Sequence, residues 1–285
     1  MSLKAINTLF IGFIFIAPIT MIGIHPRLKE YCFPANYVMI DSNTYFVRGG
    51  GSNSTVLISN DRKKIVVIDT KSIRSKELYK FVYSINRNAE IIIILTHYHS
   101  DHTKGLKYYK NAYTIAGNYS DADWKMHAGI PLPDERIKIN QSKTIELDDE
   151  TICIENIGAA HTRNDLVVFL KKKKILITGD LVYIGFHPVM NHKYGTDINH
   201  WIDRLKIIDK AFDYRIVIPG HGELSNRDCI ITMQNYLKDI QLATNDESRL
   251  KDIQTKYKSY LTVPFLIGLK RNLRFVKEEK KQDEF

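Results

Sequence analysis

Short apolar runs of three to five residues, separated by polar and helix-spaced segments, recur along the chain from about residue 37 onward. Val66, Val67 and Ile68 form one such run, Ile91, Ile92, Ile93, Ile94 and Leu95 a second, and Leu166, Val167, Val168, Phe169 and Leu170 a third. Ile175, Leu176 and Ile177, then Ile216, Val217 and Ile218, complete the set. Runs this short and this rich in β-branched residues predict strands buried on both faces. Between the last two, Ile198, Trp201, Ile202, Leu205 and Ile208 fall at helical spacing behind Asp197, which predicts a capped helix whose apolar stripe packs into the core. Strands alternating with helical patterns, without internal repeat or low-complexity linker, predict one α/β domain.

The chemistry collects where the apolar runs end. Thr96, His97, Tyr98, His99, Ser100, Asp101 and His102 follow Leu95 directly. Successive side chains of an extended segment alternate faces, so His97 and His99 point the same way and can hold one ion. Asp101 and His102, where the chain turns towards a helix, face a second. Imidazoles and carboxylates in these proportions suit zinc or another borderline divalent metal better than calcium or magnesium. Three further candidates stand at the ends of other runs: His161 after Ile157 and the small linker Gly158, Ala159, Ala160; Asp180 after Ile177, Thr178 and Gly179; and His221 after Pro219 and Gly220. A single histidine after a strand is most often structural. The weight here lies in several runs delivering ligand types to one sheet edge, where open α/β architectures place their chemistry.

The order HxHxDH, then His, then Asp, then His resembles the metallo-β-lactamase superfamily, with the resemblance running from about Tyr37 to His221. It implies a four-layer αββα sandwich with metals at one edge of two sheets. It further implies that His97, His99 and His161 hold one ion, that Asp101, His102 and His221 hold the other, and that Asp180 bridges both. Two Zn2+ ions are the implied cofactor, with iron or manganese as alternatives. Val66, Val67, Ile68, Asp69 and Thr70 resemble the family's early strand ending in Asp, but Lys71 stands where Gly is common, so the local turn is expected to depart from the pattern. Members of the largest lactamase subclass carry Cys at the place of Asp180, which argues against β-lactam hydrolysis as the main activity. In lactonases of the superfamily a Tyr three residues beyond the bridging Asp leans over the metals, and Tyr183 has that offset; a core or rim aromatic is the other reading. The segment from Gly179 to Tyr183, with His187, Pro188 and Val189 beyond it, is similar to exported zinc hydrolases associated with quinoprotein systems.

Charge supports a reactive site of this kind. Two divalent ions bring four positive charges; two aspartates and a bridging hydroxide leave a net positive centre that polarises a carbonyl, with the hydroxide as nucleophile. Asp101 is the expected proton carrier, because a metal-bound carboxylate retains a free oxygen. The formal net charge of +9 raises nucleic acid as a partner, but the basic residues do not gather beside the site. Nucleic-acid-processing members of the superfamily carry a large insertion there, and the 40 residues between Asp180 and His221 cannot hold one. The expected partner is a small-molecule substrate. Lys171, Lys172, Lys173 and Lys174 read as a solvated hairpin turn, and Lys277, Lys280 and Lys281 as a frayed, charged tail.

Residues 1–30 read as a secretory signal or N-terminal anchor and residues 37–285 as the catalytic domain with a C-terminal helical segment. Lys4 precedes an apolar stretch at residues 9–24 that is short for a membrane span and suited to a signal h-region; with no clear cleavage site beyond it, an uncleaved anchor stays open. The expected location is periplasmic or extracellular. Cys32, Cys153 and Cys229 occupy no ligand position and permit at most one disulfide. Gly49, Gly50 and Gly51 lie between two strand-like runs as either a tight turn or a mobile flap, and His187 and His192 read as loop histidines near the entrance. Two function classes follow. One is a dinuclear metal hydrolase of an ester, thioester, lactone or cyclic amide, with a glyoxalase II-type thioesterase as its nearest rival. The other is a mono-iron sulfur dioxygenase or a non-hydrolytic metal-binding protein on the same scaffold.

Overall fold

The apolar runs become the central strands of two sheets. In a computed structural model, which describes residues 35–126, 130–263 and 267–283, the first sheet has seven strands in sequence order. These are β1 (Asn36–Asp41), β2 (Thr44–Arg48), β3 (Ser54–Ile58), β4 (Lys64–Ile68), β5 (Glu90–Ile94), β6 (Tyr113–Gly117) and β7 (Glu135–Ile137). Its first four strands pair antiparallel and the rest parallel. The second sheet orders β12-β11-β10-β9-β8, built from β8 (Ser142–Leu147), β9 (Glu150–Gly158), β10 (Asp165–Leu170), β11 (Ile175–Tyr183) and β12 (Ile216–His221). The helices are α1 (Ser75–Ile85), α2 (Ser100–Thr103), α3 (Asp121–Lys125), α4 (Ile198–Ala211), α5 (Asp228–Asn245), α6 (Leu250–Lys256) and α7 (Leu269–Asp283).

Three apolar clusters show why the runs are continuous. In β5, Ile92 and Ile94 enter the layer between the sheets while Ile91 and Ile93 meet Leu78 and Val82 of α1. In β10, Leu166, Val168 and Leu170 face inward, and Val167 and Phe169 join the layer that holds Trp201 and Leu205 of α4 and Leu237 of α5. Each sheet is therefore covered on both faces, which makes a four-layer αββα sandwich and removes the polar alternation of a half-exposed strand. Each fully buried Ile, Leu or Val stabilises this arrangement by about 1.5–3 kcal/mol. Asp197 caps α4 by accepting from the His200 backbone N–H, and Ile198, Trp201, Ile202, Leu205 and Ile208 are all buried.

Two expectations are corrected. The charged tail does not fray: α7 docks on α5, burying Phe275 and Val276, and the Lys280 ammonium donates to the Thr244 hydroxyl at 2.7 Å and the Gln241 carbonyl at 3.2 Å. Leu269, Leu273, Phe275 and Val276 supply an apolar stripe that the flanking Lys and Glu residues obscure. The β10–β11 hairpin turn forms with Lys171 and Lys172 exposed, and the expectation is corrected only for Lys173, which pairs with Asp41 at 2.7 Å, and Lys174, which pairs with Asp213 at 2.5 Å. Among the described residues no helix is long and apolar enough to cross a membrane, and residues 9–24 and Cys32 lie outside them.

Candidate metal centre

Both sheets end at one edge, and the ligand types arrive there on different strands. The chain leaving β5 carries His97 and His99, and α2 carries Asp101 and His102. His161 stands in the turn between β9 and β10, and His221 ends β12. Asp180 does not close its strand as expected, because β11 runs on to Tyr183. Ligand atoms of His97, His99, His161 and Asp180 lie within 4.8 Å of one another, and so do those of Asp101, His102, Asp180 and His221. Asp180 belongs to both groups and divides its oxygens between them. Its Oδ2 lies 3.6 Å from His97 Nε2 and 3.4 Å from His161 Nε2; its Oδ1 lies 3.0 Å from His102 Nε2 and 3.3 Å from His221 Nε2. Each group thus takes two ligands from each sheet.

Several ring nitrogens at the site are buried without a hydrogen-bond partner. His97 Nδ1 sits 3.1 Å from the Thr96 hydroxyl, which leaves its buried Nε2 aimed inward without a hydrogen-bond partner. His99 Nδ1 and His161 Nε2 face each other at 3.0 Å. Among the clustered residues, the nitrogens left buried without a partner are His97 Nε2, His99 Nε2, His102 Nε2 and His161 Nδ1. Each unsatisfied buried group costs about 1–3 kcal/mol, and a borderline divalent ion would relieve those it binds. The residues present therefore fit a metal. Asp69, immediately after β4, orients His102: its Oδ2 lies 2.7 Å from His102 Nδ1 and accepts from the Thr96 hydroxyl at 2.7 Å, while its Oδ1 accepts from the Thr96 backbone N–H at 2.8 Å. An outer carboxylate of this kind fixes which nitrogen is left for the ion. The sequence pattern marked Asp69 as a strand end and missed this role; the signal was an acidic residue closing an otherwise apolar run.

The groups differ electrically. Burial drives His97 well below the ordinary imidazole value and, with His161 beside it, takes His99 down to about 3; burial also lowers His161 to about 4. In the other group burial is overcome by carboxylates. Asp180, Asp69 and Asp101 raise His102 well above its ordinary value, and Asp180 and Asp101 lift His221 to about 9. Against the same burial, His102 and His221 hold Asp101 at about 2, and His221, His102 and His97 hold Asp180 well below the usual carboxylate range.

Tyr183 is buried, stacks on His221 with ring centroids 5.1 Å apart, and donates its hydroxyl to Asp180 Oδ2. Burial and the Asp180 charge raise its pKa well above the ordinary phenol value, so it is a donor and never a base. Trp201 packs 5.2 Å from His161 and donates Nε1–H to the Leu181 carbonyl at 3.0 Å. Gly220 allows β12 to approach, since a Cβ there would collide with Asp180 Oδ1.

Neither loop histidine lines the entrance as an exposed group. His187 is buried with Nδ1 2.8 Å from the Tyr236 hydroxyl, and His192 stacks on Phe275 with centroids 4.0 Å apart. Both follow the docking of the C-terminal helices, which sequence pattern alone did not reveal. Gly49, Gly50 and Gly51 form a bend, all three at positive φ, and Gly49 and Gly51 line a groove with Phe186 and His221. Lys71 does depart from the glycine pattern. It takes φ 63° and buries its ammonium completely, donating to the carbonyls of Val47 at 2.8 Å, Gly49 at 2.7 Å and Ser52. Burial pulls its pKa down to about 7 and Asp69 opposes that. Removing an ammonium from water costs several kcal/mol; three charge-assisted bonds of roughly 1.5–3 kcal/mol each offset it.

The sequence profile described as the metallo-beta-lactamase superfamily matches residues 42–221. A type 2 metallo-beta-lactamase from Elizabethkingia meningoseptica is 24% identical over 210 residues, which are 72% of this chain and 82% of that protein. The solved metallo-beta-lactamase of Pontibacter korlensis superposes with a TM-score of 0.61 at 17% identity, over 72% of this chain and 99% of that one. A mono-zinc form of the metallo-beta-lactamase FIM-1 from Pseudomonas aeruginosa superposes with a TM-score of 0.61 at 17% identity, over 73% and 96%. The profile covers more than half of the chain and ends on the last of the clustered ligands. This chain belongs to the metallo-beta-lactamase superfamily.

Proposed function

We propose that this metal-dependent hydrolase holds two zinc ions, one in each group, and opens an ester, thioester, lactone or cyclic amide. The observation that carries the reading is the division of the Asp180 oxygens, Oδ2 towards His97 and His161 and Oδ1 towards His102 and His221. Zinc bound there supplies Lewis-acid polarisation of a carbonyl and a water of lowered pKa. The chain's own residues do the rest. Asp101, half-buried at the mouth and kept ionised by His102 and His221, receives a proton at its free oxygen and returns it to the leaving group. Tyr183 turns its hydroxyl from Asp180 to the substrate carbonyl oxygen as negative charge gathers there. The buried side chain of Phe186 gives the groove an apolar wall beside His221.

Elemental analysis and a chromogenic panel of lactone, thioester, ester and lactam substrates test the reading on one preparation. Two zinc equivalents with turnover of a lactone or ester are expected. One iron per chain with no hydrolysis of any panel member would transfer the protein to the dioxygenase class. A lactam turned over faster than every ester would instead place it with the β-lactamases that its relatives are named for, in spite of Asp180. Export belongs to the same proposal and rests on Lys4 and the apolar residues 9–24. Residues 1–36 fused to a reporter active only outside the cytoplasm are expected to give signal, and silence from a stable fusion counts against it.

A further inference from the structure

Lys71 lies outside both ligand groups, yet what it holds leads directly to one of them. Its three donors are spent on the carbonyls of Val47, near the end of β2, and of Gly49 and Ser52, in the stretch that joins β2 to β3. That stretch continues into two residues that grip the ligand-bearing backbone. The Ser52 hydroxyl donates to the Asp101 carbonyl at 2.7 Å. The Asn53 backbone N–H donates to the Gly220 carbonyl at 2.8 Å, and its side-chain amide donates to the carbonyls of Pro219 at 2.8 Å and Gly222 at 3.0 Å, on either side of His221. Asp101 comes from the first sheet and His221 from the second. The turn is thus the brace between them, and three glycines at positive φ leave it little stiffness of its own.

We propose that Lys71 is a positioning residue for the Asp101, His102 and His221 group: its ammonium fixes the 47–52 turn so that Ser52 and Asn53 hold Asp101 and His221 at ion-binding separation. The inference rests on the reading that this group holds the second ion. It also accounts for a lysine at a left-handed position where glycine is common in the family. Glycine would relieve the backbone there but would leave three inward carbonyls without a donor.

Titration of the metal-free protein with cobalt(II), followed by visible absorption and by chelator competition, reads the two ions separately. Wild type is expected to take two equivalents. Lys71→Met is expected to weaken the second by at least tenfold and leave the first within twofold, with faster amide exchange at residues 49–53. Lys71→Gly is expected to show the same selective loss, because it relieves the backbone without restoring the donors. A purely structural lysine would instead lower stability and weaken both ions together. Should Lys71→Met fail to fold, Ser52→Ala, which cuts only the link to Asp101, is expected to weaken the second ion selectively by a smaller factor. Unchanged affinity for the second ion in folded Lys71→Met or Lys71→Gly overturns the inference while the two-ion reading stands. A wild type that binds a single ion overturns both.

Discussion

The two ligand groups share Asp180 and little else. His97, His99 and His161 are buried rings that burial holds well below the ordinary imidazole value, so they are neutral near pH 7. Asp101, His102 and His221 form a cluster of opposite charges towards the mouth, with Asp180 Oδ1 3.0 Å from His102 Nε2 and Asp101 Oδ2 3.3 Å from His221 Nε2. One group presents neutral rings to an ion. The other must release protons before an ion enters. The same residue types therefore give two sites with different pH responses, and the difference comes from where the carboxylates sit.

The widest break in that comparison is Asp180→Ala, which removes the oxygen that each group needs. Turnover is expected to fall by roughly a thousandfold or more, the size of several kcal/mol of lost stabilisation, in a protein that still folds; near-normal kinetics in the folded variant would remove Asp180 from the site. Next, His97→Ala combined with His99→Ala is expected to empty the first group and spare the second, so elemental analysis should find one equivalent where wild type has two. Two equivalents retained would show that the ligand assignment is wrong.

Acid sharpens the contrast. Zinc affinity of the first group is expected to stay flat from about pH 5 upward, because its rings are already unprotonated. Affinity of the second is expected to rise about tenfold per pH unit for each displaced proton until His221 is neutral near pH 9. In the metal-free protein the sign runs the other way. His221 titrates near 6.5 when unfolded and about 9 when folded, so its ion pairs stabilise fully below about pH 6.5 and are lost as pH rises through about 9. Calorimetric zinc titrations from pH 6 to 9, with thermal melts of the metal-free protein alongside, measure both, and parallel pH slopes for the two ions would erase the distinction. The smallest expected effect is that of Tyr183→Phe, since that ring stacks on a ligand of one group while its hydroxyl reaches the oxygen facing the other. Loss of one transition-state hydrogen bond predicts about a tenfold to hundredfold fall in kcat/KM at unchanged metal content. Wild-type kinetics would leave Tyr183 as a packing residue.

The clustered His and Asp residues were legible because they follow or sit within apolar strand runs, which announce themselves by composition, so a polar residue there stands out. Asp69 ends such a run too, but a residue that reaches the ion only through His102 leaves no trace in spacing. The strands were legible for the same reason as the ligands; the C-terminal docking was not. Lys280 reads as solvent-facing charge, and only the position of α5 turns it into a donor to Thr244. His187 likewise became a buried partner of Tyr236 through a contact 49 residues away in sequence. Lys71 was visible as a departure, and what the departure achieves depends on three carbonyls from another hairpin.

Each ligand group takes half of its residues from one sheet and half from the other, so an ion bound there would couple metal uptake to closure of the sandwich. An ion at a hundred times its dissociation constant adds about 2.7 kcal/mol to the folded state by mass action, and it does so only for chains whose two sheets already meet at this edge. A chelator would then loosen the seam between the sheets at this edge while the apolar layer behind it stays closed, so metal supply is expected to tune stability as well as turnover.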